Sequence, residues 1–263
     1  MEKEDRLKVP LREQEHLKEL FCLLEKNGME QEKKQVLQMA DYIEGMEEKM
    51  GEVLEELQKM REQLSGIENK GARVQAEKVV ESVAEKIGEA REALGNLKKA
   101  FLQRVEQAVL VGRTRGREAL SGILKTIHLP GAASRVQQLL NRSIKAADQG
   151  IEKLGDMADE LHAAKQHLGN AGRALTGEKI KRLYSRDPER GLIHETQRLL
   201  YQSMISMEQM EHRTGKLLEQ MEHLMSQEEE KKPSVRDTIQ KLKEENKSVQ
   251  EPSMQQRKEP VRE

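Results

Sequence analysis

The chain has 263 residues, with 46 Lys plus Arg against 47 Asp plus Glu and a formal net charge of −1. Hydrophobic residues make up 35% and aromatic residues 2%, with no Trp, below the roughly 45–50% apolar content of ordinary globular domains. This excludes a thick core with a deep substrate pocket, favours long helices packed side by side, and excludes polyelectrolyte attraction of the whole molecule to nucleic acid or anionic membrane.

Residues 1–28 are expected to hold one short helix. The acidic start, Met1 to Asp5, lacks the basic-then-apolar order of a secretory signal, so the cytoplasm is the expected compartment. Leu17, Leu20, Phe21, Leu23 and Leu24 cluster after Pro10 and stop at Asn27 and Gly28, where glycine can take the left-handed conformation that ends a helix. Cys22 is the single cysteine, and its place in this cluster predicts a buried, inert thiol.

Residues 29–70 carry the strongest pattern. Val36, Met39, Ile43, Met46, Met50, Val53, Leu57, Met60, Leu64 and Ile67 are spaced at alternating steps of three and four, a heptad seam flanked by Glu and Lys. The corresponding helix would run on the order of 50 Å. Methionine at four seam positions packs adaptably and specifies partner geometry weakly. The same stripe fits a monomeric bundle, a parallel dimer and an antiparallel dimer.

Residues 71–184 are expected to form a central basic helical hairpin. After an interruption at Asn69, Lys70 and Gly71, apolar spacing resumes in a new phase at Val80, Val83, Ile87, Ala90, Leu94, Leu97 and Phe101. Gly88 and Gly95 lie within this helix and mark either close helix approach or local softness. Leu120, Ile123, Leu124 and Ile127 follow on one face, and the chain turns back near Pro130. A third helix carries Leu154, Met157, Leu161, Ala164, Leu168, Ala171 and Leu175, ends at Thr176 and Gly177, and gives way to a short basic segment through Tyr184.

Residues 185–226 read as a turn and a fourth long helix from Leu192 to Ser226. Its face is Leu200, Met204, Met207, Leu218, Met221 and Met225, interrupted by Glu211 and Thr214. Its length and Met content match the seam helix, which predicts antiparallel packing of the two. Residues 227–263 are charged, poor in apolar residues and punctuated by Pro233, Pro252 and Pro260, the composition of a disordered tail. Ser234 could cap a short helix over 234–247, with Val235, Ile239 and Leu242 on one face as a peptide contact for a partner's groove.

Catalytic and metal chemistry finds little support. His162 and His167 lie about 140° apart around a helix, and His212 and His223 roughly 16 Å apart along one, so neither pair can share a metal. Glu13 and His16 have the spacing used in di-iron bundles, but those need a second such pair and further inward carboxylates. No phosphate loop, dinucleotide fingerprint or nucleophile elbow is present. The chain is therefore expected to be no enzyme, with no catalytic residue, no metal site and no cofactor.

Charge is unevenly placed. Residues 98–147 contain ten basic residues against Glu106 and Glu118, whereas residues 1–70 contain 18 acidic and 12 basic residues. The basic block, with Arg113, Arg115 and Arg117 at its centre, offers an anion or nucleic-acid contact, but Phe101 is the one aromatic near it, where nucleic-acid binders usually add stacking side chains. The amphipathic stretch Arg117 to Ile127 could lie on a membrane surface. The longest apolar run, Ala108 to Val111, is too short for a membrane span.

Two stretches, LREQEHLKELFCLLEKNGME from Leu11 and the region from Ser134 (SRVQQLLNRSIKAAD) to Leu175 (HLGNAGRAL), resemble an uncharacterised helical family of Clostridia-type Gram-positive bacteria. The tail segment KPSVRDTIQKLK from Lys232 is similar to tails on proteins carried by conjugative or other mobile elements. The resemblance spans about residues 11–247 and implies a bacterial accessory protein, without transferring any catalytic residue.

The expectation is thus an all-α protein: an elongated coiled coil or bundle of four long helices, short helices and a disordered tail. It would act as a non-enzymatic interaction or scaffold protein through a protein partner or self-association. A nucleic-acid-binding accessory factor using residues 98–147 and a phage-type assembly scaffold are the alternatives.

Overall fold

A computed structural model describes residues 9–127, 129–185 and 191–231, with side chains as far as His223. Among these residues the fold is all-α. A short 3-10 turn, Leu11–Glu13, precedes α1 (Glu15–Lys26), α2 (Glu30–Leu64), α3 (Lys70–Leu124), α4 (Pro130–Thr176) and α5 (Leu192–Lys231). The chain divides into two units, residues 1–218 and 219–263. Of the second, the described part is the last stretch of α5. Val235, Ile239 and Leu242 lie outside the described residues.

The heptad pattern of α2 folds into the core of the first unit. Val36, Met39, Ile43, Met46, Met50, Val53, Leu57, Met60 and Leu64 are all buried, and full burial of each such side chain is worth roughly 1.5–3 kcal/mol. The seam stops at Leu64. Ile67 falls after the helix end and is only half-buried, because the chain leaves α2 there in turns that bond Ser65 to Glu62 and Ile67 to Leu64. α3 then starts at Lys70, earlier than the apolar spacing implies, since Asn69 Oδ1 accepts the Ala72 N–H at 3.1 Å and caps the helix.

Ion pairs fix the direction of packing. Lys98 of α3 meets Glu47 of α2 at 2.6 Å, and Arg61 meets Glu81 at 3.8 Å, so the two helices run antiparallel. α4 returns along α3, with Gly150 set against Val79. Up to Leu218, α5 bonds both α2 and α4. Thr214 pairs with Tyr42 and Ser203 with Glu56, while Gln137 donates to Glu211 and Gln197 to the Ile151 carbonyl. The descending partners along an ascending helix make α5 antiparallel to α2, as length and Met content suggest, and complete an up-down-up-down bundle.

The N-terminal elements brace this bundle. The Leu11 N–H donates to Glu44, and Arg12 donates to Asp41 at 2.9 Å, while Leu17, Leu20 and Leu24 of α1 are buried. Cys22 is exposed, contrary to the sequence expectation. It lies about 140–160° around α1 from those leucines, so membership of an apolar cluster did not place it on the apolar face.

Other departures from the sequence reading have equally local causes. The fourth helix continues five residues beyond Ser226, to Lys231, into a region expected to be tail. Gly116 takes φ 76° and ψ −168° and breaks α3 into residues 70–115 and 117–124, a positive φ that glycine adopts without steric cost. Gly88 and Gly95 have no atom within 4 Å of where a Cβ would lie, so neither serves close helix approach.

Candidate interaction surface

The seam of α2 is consumed inside its own chain. The basic block is likewise partly neutralised and divided. Lys98 is 5% exposed and held by Glu47. Arg113 pairs with Glu19 of α1, while Arg135 and Arg142 of α4 approach Glu89 of α3, whose carboxyl is held below its usual range chiefly by a hydrogen bond from Lys86. Arg115 and Arg117 are exposed on either side of the Gly116 break and have no ion pair among the described residues. The block is therefore spread along two helices rather than gathered on one face.

A different surface stands out at the other end of the hairpin. Along α4 the residues Val136, Leu140, Ser143, Ala147, Gly150, Leu154 and Ala158 are buried, whereas Met157 and Leu161 are intermediate and Ala164, Leu168, Ala171 and Leu175 are exposed. The sequence stripe is continuous, but its cover ends. α3 begins only at Lys70, and Gly71, Ala72 and Gln75 at its start line a recess with Met157, Leu161 and Ala164. The rest of α4 to Thr176 projects past that point by roughly 18 Å.

The projecting part is braced on its opposite face. The Gln166 side chain donates to the Tyr184 carbonyl at 2.6 Å and accepts the Tyr184 N–H at 2.9 Å. Four residues on, Asn170 repeats the pairing with Lys181, donating at 2.8 Å and accepting at 2.9 Å. His162 donates to the Tyr184 carbonyl at 3.2 Å and meets its ring edge-to-face at 5.3 Å. His162, Gln166 and Asn170 share one face of the helix, whose centre at Gln166 lies about 160–180° around from Leu168 and Leu175. The segment through Tyr184, read from sequence as a short basic segment, is thus a strap that backs the helix and leaves its apolar stripe open.

Among the described residues, five of the ten exposed large hydrophobic side chains fall within this element and its strap: Leu168, Leu175, Ile180, Leu183 and Tyr184. Leu168 and Leu175 lie on the helix stripe and the other three on the strap behind it; scattered exposed apolar residues are ordinary, whereas several on one projecting element make a candidate interaction surface. Sequence periodicity found Leu161 to Leu175 yet could not show that α3 starts too late to cover them.

Among the described residues no three His, Cys, Asp or Glu side chains gather as a metal site, and no helix is long and apolar enough to cross a membrane. The geometry is that of a helical framework with one uncovered apolar edge. No curated protein and no solved structure matches the chain. Residues 13–262 match the model of a family of unknown function, DUF6674, and the chain belongs to that family.

Proposed function

We propose that this protein is a non-enzymatic interaction or scaffold protein whose docking element is the strapped end of α4. The observation that carries the reading is the apolar stripe through Leu168 and Leu175, 74% and 89% exposed, on a helix that hydrogen bonds hold in place from behind. A braced helix loses little conformational entropy on docking, so its exposed leucines contribute more of their burial free energy to affinity. The resemblance of the Ser134 to Leu175 region and of the tail supports an accessory role in the cytoplasm of bacteria carrying mobile elements. The ion pairs that occupy Lys98 and Arg113 weigh against nucleic-acid binding by residues 98–147 as the main activity.

The test is crosslinking with mass spectrometry in the native host, comparing the intact chain with a Leu168→Glu, Leu175→Glu variant. Crosslinks from residues 160–185 should be the ones lost, while the unfolding midpoint stays the same. Crosslinks unaffected by the variant would remove the docking role from this element.

A further inference from the structure

We infer that the open stripe at the end of α4 pairs antiparallel with the same stripe of a second copy of this chain. The inference rests on the docking reading above and names its occupant. Three observations lead to it. First, the stripe continues the buried face of α4, so the surface is already shaped as one half of a helix-helix seam. Second, Ala164, Leu168, Ala171 and Leu175 alternate small and large at steps of four, three and four. Two antiparallel copies then place Leu168 opposite the second copy's Ala171 and Leu175 opposite its Ala164, so that every layer sets a leucine against an alanine. Such large-against-small layers interdigitate closely, and the contact is isologous, as a two-fold dimer requires. In the same register Lys165 and His167 lie across from the second copy's Gly172 and Ala174, and no like charges meet on the flanks of the stripe.

Third, the rest of the bundle selects the orientation. Below Ala158 the same face of α4 is occupied by α3. A parallel second copy would drive its own α3 into that space, whereas an antiparallel copy directs its bundle away beyond Thr176. The overlap of about four layers is short, which places the dimer among weak, concentration-dependent assemblies.

Sedimentation equilibrium of the full chain should show a mass rising with concentration from 30.2 kDa towards twice that value. Leu168→Glu should move the midpoint at least tenfold higher in concentration with helicity and thermal midpoint unchanged, because the residue is exposed. Orientation is read in a Cys22→Ser background by mixing a Leu175→Cys chain with an Ala164→Cys chain. Antiparallel pairing gives the mixed disulfide, since two copies of position 175 then lie about 16 Å apart along the axis. Dominant self-crosslinking of the Leu175→Cys chain, a mass of one chain at every concentration, or a dimer indifferent to Leu168→Glu would overturn the inference. If the chain stays monomeric while Leu168→Glu, Leu175→Glu still removes crosslinks to a host protein, the docking reading stands and the second copy is the wrong occupant.

Discussion

Thr214 donates to its own helix at the Met210 carbonyl, 2.8 Å away, and shares a 2.9 Å hydrogen bond with the Tyr42 hydroxyl. Ser203, also buried, reaches Glu56 at 3.2 Å. Together with Thr196, Leu200, Met207 and Met210 these residues form the buried stripe of α5, at steps of four and three. A search for apolar side chains misses it, because hydroxyls occupy three positions, and each is tolerated inside by having a partner. Burial pushes the Tyr42 phenol up to about 12, with the Thr214 hydrogen bond opposing. Between the ordinary value near 10 and about 12, the unfolded chain has lost a proton that the folded chain keeps. Stability should therefore be intact below pH 10 and fall as pH rises through this window, by on the order of 2 kcal/mol. Tyr42→Phe should cost about 1 kcal/mol at pH 7 and flatten this decline. Urea unfolding midpoints at pH 8 and pH 11 check both statements, and an equally steep decline in the variant would dismiss Tyr42 as its source.

Among the elements, the α3–α4 contact is set by one glycine. A Cβ on Gly150 would lie 2.5 Å from Val79 Cγ1, and valine in a helix has little rotamer freedom with which to withdraw. Gly150→Ala, which elsewhere in a helix gains up to about 1 kcal/mol, should here cost about 1–3 kcal/mol through overpacking. Val79→Ala should restore most of that loss. Gly88→Ala, facing open space, should stabilise instead. Thermal unfolding of Gly150→Ala, of Gly150→Ala with Val79→Ala and of Gly88→Ala distinguishes contact from propensity, and a stabilising Gly150→Ala would mean that the helices are not held this close. Sequence reading located the helices well because their apolar steps alternate three and four over many turns. It could not rank the glycines, since identical residues in identical helices differ only in what the neighbouring helix presents.

For the bundle of residues 1–218, the useful contrast is between two leucine-bearing stripes of the same periodicity. One runs through Val53 and Leu57, each 1% exposed, and the other through Leu168 and Leu175, which face solvent. From sequence alone the first looks like the better place for a partner, because it is longer and unbroken. The fold reverses this: α3 and α5 cover α2, whereas nothing among the described residues of that bundle covers the Leu168 and Leu175 stripe at the end of α4, which the strap backs only from the opposite face. What decides the matter is a mismatch of lengths, with α4 continuing past the start of α3, and periodicity carries no information about it. Val53→Lys with Leu57→Lys forces two ammonium groups into the core, each costing several kcal/mol. Against a typical total stability of about 5–15 kcal/mol, that pair should abolish the cooperative unfolding transition and much of the helical circular dichroism. The Leu168→Glu, Leu175→Glu pair carries as many new charges and should leave both signals intact. A folded Val53→Lys, Leu57→Lys variant would show that the α2 seam is not the core of this chain, and with that result the solvent-facing stripe of α4 would lose its claim to be the exceptional one.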